Sequence, residues 1–122
     1  MTYTLSEMPK FSYLCQCSQC QKASGSGHSA LFMMHSEAVE MNGPLKYFVQ
    51  TSAKGNSVGR AFCVECGTPL ALKSTKYPDL LFFTAASLED SSVFRPTQVL
   101  WNCERQPWDT VDPNLKLNQR GV

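Results

Sequence analysis

Cys15-Gln16-Cys17-Ser18-Gln19-Cys20 runs directly into Gln21-Lys22-Ala23-Ser24-Gly25-Ser26, and the kind of domain this chain forms is decided here. Cys15 and Cys17 are too close in the chain to bridge each other without severe strain, which argues against a disulfide framework. Thiolates two residues apart can instead turn tightly enough to share one zinc ion, at about 2.3 Å per sulfur. Cys17-Ser18-Gln19-Cys20 meets that spacing, and so does Cys63-Val64-Glu65-Cys66-Gly67 further on. Gly67 gives the second pair the backbone freedom that a metal knuckle requires.

Two metal arrangements are open from residue types alone, and they weigh almost evenly. Cys15, Cys17 and Cys20 can hold one ion from a single loop, leaving a fourth tetrahedral position for water or substrate. Alternatively Cys17, Cys20, Cys63 and Cys66 close one four-cysteine site that only staples the fold. The second arrangement leaves Cys15 as a free thiol beside the metal. Cys103 belongs to neither, and reads as a core or surface thiol.

Working outward, the 122 residues suit a single domain spanning 1–122, with 17% charged and 43% hydrophobic residues and a formal net charge of +1. Lys10, Lys22, Lys46, Lys54 and Arg60 are scattered singly, with no basic stripe to neutralise a run of phosphates, so nucleic acid is not an expected partner. The start, Met1 to Glu7, lacks the basic and apolar regions of a secretory leader, and no apolar run reaches membrane-spanning length. A cytoplasmic protein without membrane contact is expected. In that reducing compartment, six cysteines read as metal ligands or catalytic thiols.

Short runs rich in β-formers, bounded by turn residues, predict a mainly β domain of short antiparallel strands. The expected strands are Phe11 to Cys15, Leu31 to Met34, Leu45 to Gln50, Gly59 to Phe62, Leu70 to Lys73, Leu80 to Thr84 and Gln98 to Trp101. One or two short helices fit between them. The first lies within Ser18 to Ala23 and ends at Gly25, which can adopt the left-handed terminal conformation. A second turn is expected at Ser36 to Val39, capped by Ser36, and a third at Ser87 to Asp90. The tail from Trp101 should be a strand or extended arm that frays.

The combined pattern resembles the glutathione-dependent formaldehyde-activating enzyme family, which also includes centromere protein V. The resemblance rests on Cys15-x-Cys17-x-x-Cys20-Gln21-Lys22-Ala23-Ser24-Gly25-Ser26 and on Phe62-Cys63-x-x-Cys66-Gly67-Thr68-Pro69-Leu70. Ser87-Leu88-Glu89-Asp90, Phe94-Arg95-Pro96-Thr97, and Trp101 with Gln106-Pro107-Trp108 extend it over nearly the whole chain. It implies a zinc-bound β-tent in which Cys15, Cys17 and Cys20 hold the zinc where a thiol substrate enters. Cys63 and Cys66 would supply half of a separate structural zinc site. Family members normally carry an earlier Gly-x-Cys-x-Cys-Gly strand that completes that second site, and this chain begins just after its place. An exposed sheet edge follows from the missing strand, and with it a homodimer that covers the edge.

The resemblance further implies a carbon–sulfur lyase that adds the glutathione thiol to formaldehyde, with a small thiol and an aldehyde as partners and zinc as cofactor. The alternatives are a structural zinc module used for protein binding, and an inactive paralogue of the same fold. Ser24, Gly25 and Ser26 present backbone N–H groups near the metal and are candidates to hold a carboxylate of the thiol. His28 is a candidate fourth ligand or proton shuttle, set against the plainer role of a partly buried polar residue. His35 reads as a strand-end surface residue. Phe32, Met33 and Met34 read as core more readily than as pocket lining, and Trp101 and Trp108 as buried rings more readily than as stacking platforms.

Overall fold

In the computed structural model, which describes residues 1–51 and 55–121, most of the strand residues lie in one sheet. Its strands are β2 (Phe11–Cys15), β3 (Ser29–His35), β5 (Leu45–Thr51), β6 (Ser57–Cys63), β7 (Pro69–Ser74), β8 (Leu80–Thr84), β9 (Gln98–Leu100) and β10 (Lys116–Leu117). They are ordered β10-β9-β2-β3-β8-β7-β6-β5. All seven expected strands are present: β2 and β8 with the bounds read from the sequence, β3, β5, β6 and β7 one to three residues longer, and β9 one residue shorter.

Two more strands, β1 (Thr2–Leu5) and β4 (Val39–Asn42), were not anticipated and pair antiparallel in a small sheet of their own. The expectation of antiparallel pairing holds from β2 through β3, β8, β7 and β6 to β5, while β9 runs parallel to both β2 and β10. A parallel neighbour needs a long crossover. Residues 85–97 supply it, carrying the chain from β8 past β3 and β2 to the far side. That crossover contains short 3-10 turns at Ala85–Ser87 and Ser91–Val93. They flank the helical turn expected at Ser87 to Asp90 and replace it, because the Asp90 side chain accepts from Ser92 N and caps the second turn.

The single α-helix, α1 (Ser18–Ser24), ends where expected, with Gly25 left-handed at φ 70° and its N–H bonded to the Gln21 carbonyl. A 3-10 turn at Ser36–Ala38 is also present, but its cap is His35, without a side-chain bond, rather than Ser36. β9 stops at Leu100 because Trp101 turns left-handed at φ 59°, the one non-glycine residue with positive φ among those described. The tail returns to the fold through β10, with Asn118 N donating to Val99 O at 2.9 Å.

Strand alternation splits the core between the two faces of the sheet. On one, Phe32, Met34, Ala61, Cys63, Leu70, Ala71 and Phe83 are buried, with Tyr3, Leu5, Val39 and Met41 of the small sheet packed over them. On the other, Tyr13, Cys15, Cys20, Leu31, Phe82 and Leu100 are buried together. Phe32 and Met34 thus take the core role expected of them. Trp108 does not: it is 65% exposed, since the segment that carries it is held by polar contacts and leaves its ring outside either cluster.

A three-thiol loop beside an apolar cleft

The backbone around Cys15, Cys17 and Cys20 folds as a strand end running into a helix cap. Cys15 closes β2 opposite Ser29. Cys17 is the extended N-cap of α1, its sulfur accepting from Cys20 N at 3.3 Å. Cys20 points from the first turn of α1 into the core. The three Sγ atoms consequently lie within 4.8 Å of one another. Tetrahedral ligands at about 2.3 Å from a zinc ion are about 3.8 Å apart, so small side-chain rotations bring these sulfurs onto one ion. The donor set therefore fits zinc in softness, number and spacing.

The charge state of the loop is prepared for a cation. Hydrogen bonds from the Cys15 and Cys20 thiols, the Cys20 N–H and the nearby Arg60 charge hold the Cys17 thiol far below its usual range. Cys15 is pushed up in turn by its bonds to Cys17 and Cys20 and by burial. A cation held by the three sulfurs would favour their thiolate forms.

Cys63 and Cys66 are placed elsewhere. They form a tight knuckle between β6 and β7, with Gly67 left-handed at φ 74° and donating to the Cys63 carbonyl at 2.8 Å. The Thr68 hydroxyl lies 3.0 Å from Cys66 Sγ and is the main reason that this exposed thiol is held below its ordinary value. Cys63 packs on the face of the sheet opposite Cys15 and Cys20. Among the described residues, Cys15, Cys17 and Cys20 are the one metal-capable group of three or more, and neither knuckle cysteine joins it. The four-cysteine arrangement of Cys17, Cys20, Cys63 and Cys66 is therefore not the one the fold assembles. Cys103 is exposed.

Gln16, between two of the clustered cysteines, is completely buried. Its amide donates to Asp109 Oδ2 at 2.9 Å and accepts from Asn102 Nδ2 at 2.9 Å. Its backbone N–H donates to Leu100 O at 2.9 Å, and its carbonyl accepts from Gln21 Nε2 at 2.8 Å. His28 Nδ1 meets the same Asp109 carboxylate at 2.9 Å. His28 is thus a partly buried partner of Asp109, outside the three-thiol group. Gly27 is obligatory beside it, since a Cβ there would fall 2.3 Å from Asp109 Cγ.

A cleft of about 450 Å³ opens beside the helix that carries Cys20, although none of the three cysteines lines it. Ala23 and Ser24 line it one helical turn beyond Cys20, and Ser29 lines it while donating to the Cys20 carbonyl at 2.9 Å. Leu31, Arg60, Phe62, Thr68 and Leu72 contribute from the sheet. Of the expected substrate loop, Ser24 reaches the cleft, whereas the N–H groups of Gly25 and Ser26 are both bonded to Gln21 O. Arg60 was not anticipated as a site residue. A single arginine in a strand carries no local signal; only the pairing of β6 across the sheet brings it to the cleft.

A family model for glutathione-dependent formaldehyde-activating enzymes matches residues 1–104. The chain belongs to that family. Membership gives it a glutathione-related, formaldehyde-activating function at the family level, and the matched span holds the whole thiol cluster and the knuckle. Asp109, which clamps Gln16, lies beyond it. No curated protein matches the chain. No helix among the described residues is long and apolar enough to cross a membrane.

Proposed function

We propose that the chain is a zinc-dependent carbon–sulfur lyase, S-(hydroxymethyl)glutathione synthase-like, adding a glutathione-like thiol to formaldehyde or a related small electrophile in the cytoplasm. The convergence of Cys15, Cys17 and Cys20 within 4.8 Å, with no fourth protein donor among the described residues, carries this reading. Cys15, Cys17 and Cys20 would hold the zinc, which when bound would supply the chemistry that favours the thiolate form of a substrate thiol, whose free pKa is near 8.5, at neutral pH.

The addition forms one carbon–sulfur bond, converts the carbonyl to an alcohol and delivers the thiol proton to the new hydroxyl. Cys15, Cys17 and Cys20 fix the metal's place. Ser24 and Ser29 form the cleft wall next to them, and the apolar lining from Leu31, Phe62 and Leu72 limits water around the reacting sulfur. A one-carbon aldehyde is little larger than a water molecule, whose share of liquid volume is ~30 Å³. The cleft is more than tenfold larger, which suits the body of the thiol rather than the aldehyde.

Zinc content of wild type and Cys15→Ser, measured with thiol-dependent formaldehyde consumption, tests the reading. One tightly bound zinc per chain is expected, with Cys15→Ser weakening zinc and abolishing consumption. Zinc retained unchanged in Cys15→Ser would instead support the structural zinc module. A second zinc lost specifically in Cys63→Ser would assign Cys63 and Cys66 to a further site.

A further inference from the structure

Arg60 is the one charged side chain lining the cleft, and it sits among Leu31, Phe62, Leu72 and the small residues of α1 and β7. Its neighbours in register are Phe48 on β5 and Leu72 on β7, so its own strand partners offer no counter-charge. Among the described residues the ion pairs are Lys10 with Glu7 and His28 with Asp109; no carboxylate pairs with Arg60. A half-buried guanidinium without an acidic partner, in an otherwise apolar hollow, is a poor contributor to stability. It is a strong recognition element, because its planar fork binds a carboxylate through two parallel charge-assisted hydrogen bonds.

The cleft is the right size for such a ligand, about 450 Å³ against the 300–1,000 Å³ typical of small-molecule sites. Its far wall reaches the thiol loop through Ala23, Ser24 and Ser29. Arg60 also lies near enough to the thiol loop to favour ionisation of Cys17, so the cleft's one cation stands close to the sulfurs.

We infer that Arg60 is a specificity-determining residue that binds a carboxylate of the thiol substrate, so that the cleft selects anionic thiols over neutral ones of the same size. The inference takes its ligand class from the proposed thiol addition, yet it can be tested without that chemistry. S-methylglutathione has no thiol to ionise and its binding does not depend on a loaded metal. Its affinity is compared by calorimetry with that of its dicarboxamide, for wild type, Arg60→Gln and Arg60→Lys, in protein with and without zinc.

Wild type should prefer the acid over the amide by roughly ten- to hundredfold, the range of a charge-assisted hydrogen bond. Arg60→Gln should erase the preference and Arg60→Lys should keep part of it. Equal affinity of acid and amide in wild type, or a preference that survives in Arg60→Gln, overturns the assignment. Should Arg60→Gln fail to fold, Arg60→Lys decides, and an acid preference unchanged from wild type in it overturns the assignment. A preference shown by a protein that consumes no formaldehyde even when supplied with zinc would sink the proposed reaction and leave the anion site standing. Consumption without any acid preference would do the reverse.

Discussion

Asp109 holds two things at once: the amide of Gln16 at 2.9 Å and the ring of His28 at 2.9 Å. Gln16 has no access to water, so an amide left without its acceptor costs the full desolvation of that group. Asp109→Ala should therefore destabilise the protein by ~1–3 kcal/mol, read as a lower urea midpoint with unchanged slope. Asp109→Asn keeps an acceptor oxygen and should lose less than half as much. None of this could be read from the sequence, because the two residues are 93 positions apart and neither glutamine nor aspartate announces a buried partner. The cysteines were legible for the opposite reason. Their ligand geometry is local, fixed by spacing within a single turn, and needs no knowledge of the rest of the chain.

Among the elements, α1 is too short to stand alone and survives on its two ends and its buried Cys20. Its C-terminal glycine has φ 70°, and a Cβ built there would meet nothing within 4 Å. Gly25→Ala thus carries only the left-handed backbone penalty, ~1–2 kcal/mol, and Gly25→Asn should recover part of it; thermal unfolding of the two variants checks the order. The seven strands of the large sheet that were expected have apolar runs or clear alternation between turn residues. β1 and β4 alternate as well, with Tyr3 and Leu5 facing Met41 and Val39 across the ladder. Each is only four residues long, and a pattern that brief is meaningful only once its distant partner is known. The parallel placement of β9 was equally hidden, since alternation fixes which face is buried and not which neighbour a strand chooses.

At the scale of the molecule, the large sheet has two edges, β10 and β5. β10 is two residues long, whereas β5 offers seven, with Phe48 58% and Val49 59% exposed. A long edge with exposed apolar side chains is a template for pairing. The homodimer expected from the sequence would pair through β5: sedimentation should give a dimer at micromolar concentration, and Val49→Lys should shift it to monomer. A wild-type monomer at every concentration rejects it. Arg60 belongs to this scale too, being invisible as a site residue until the order of strands brings β6 to the cleft beside α1. The clamp on Gln16 has a consequence for how the protein is made. Asn102 and Asp109 follow Gln16 by 86 and 93 positions, so they leave the ribosome well after all three clustered cysteines. Until they emerge, the nascent chain carries a complete set of thiols on an unbraced loop, open to oxidation or to the wrong metal. Maturation of the centre is thereby tied to synthesis of the segment that holds Asp109, and a polypeptide interrupted after residue 104 would keep the three clustered cysteines while lacking the carboxylate that braces their loop.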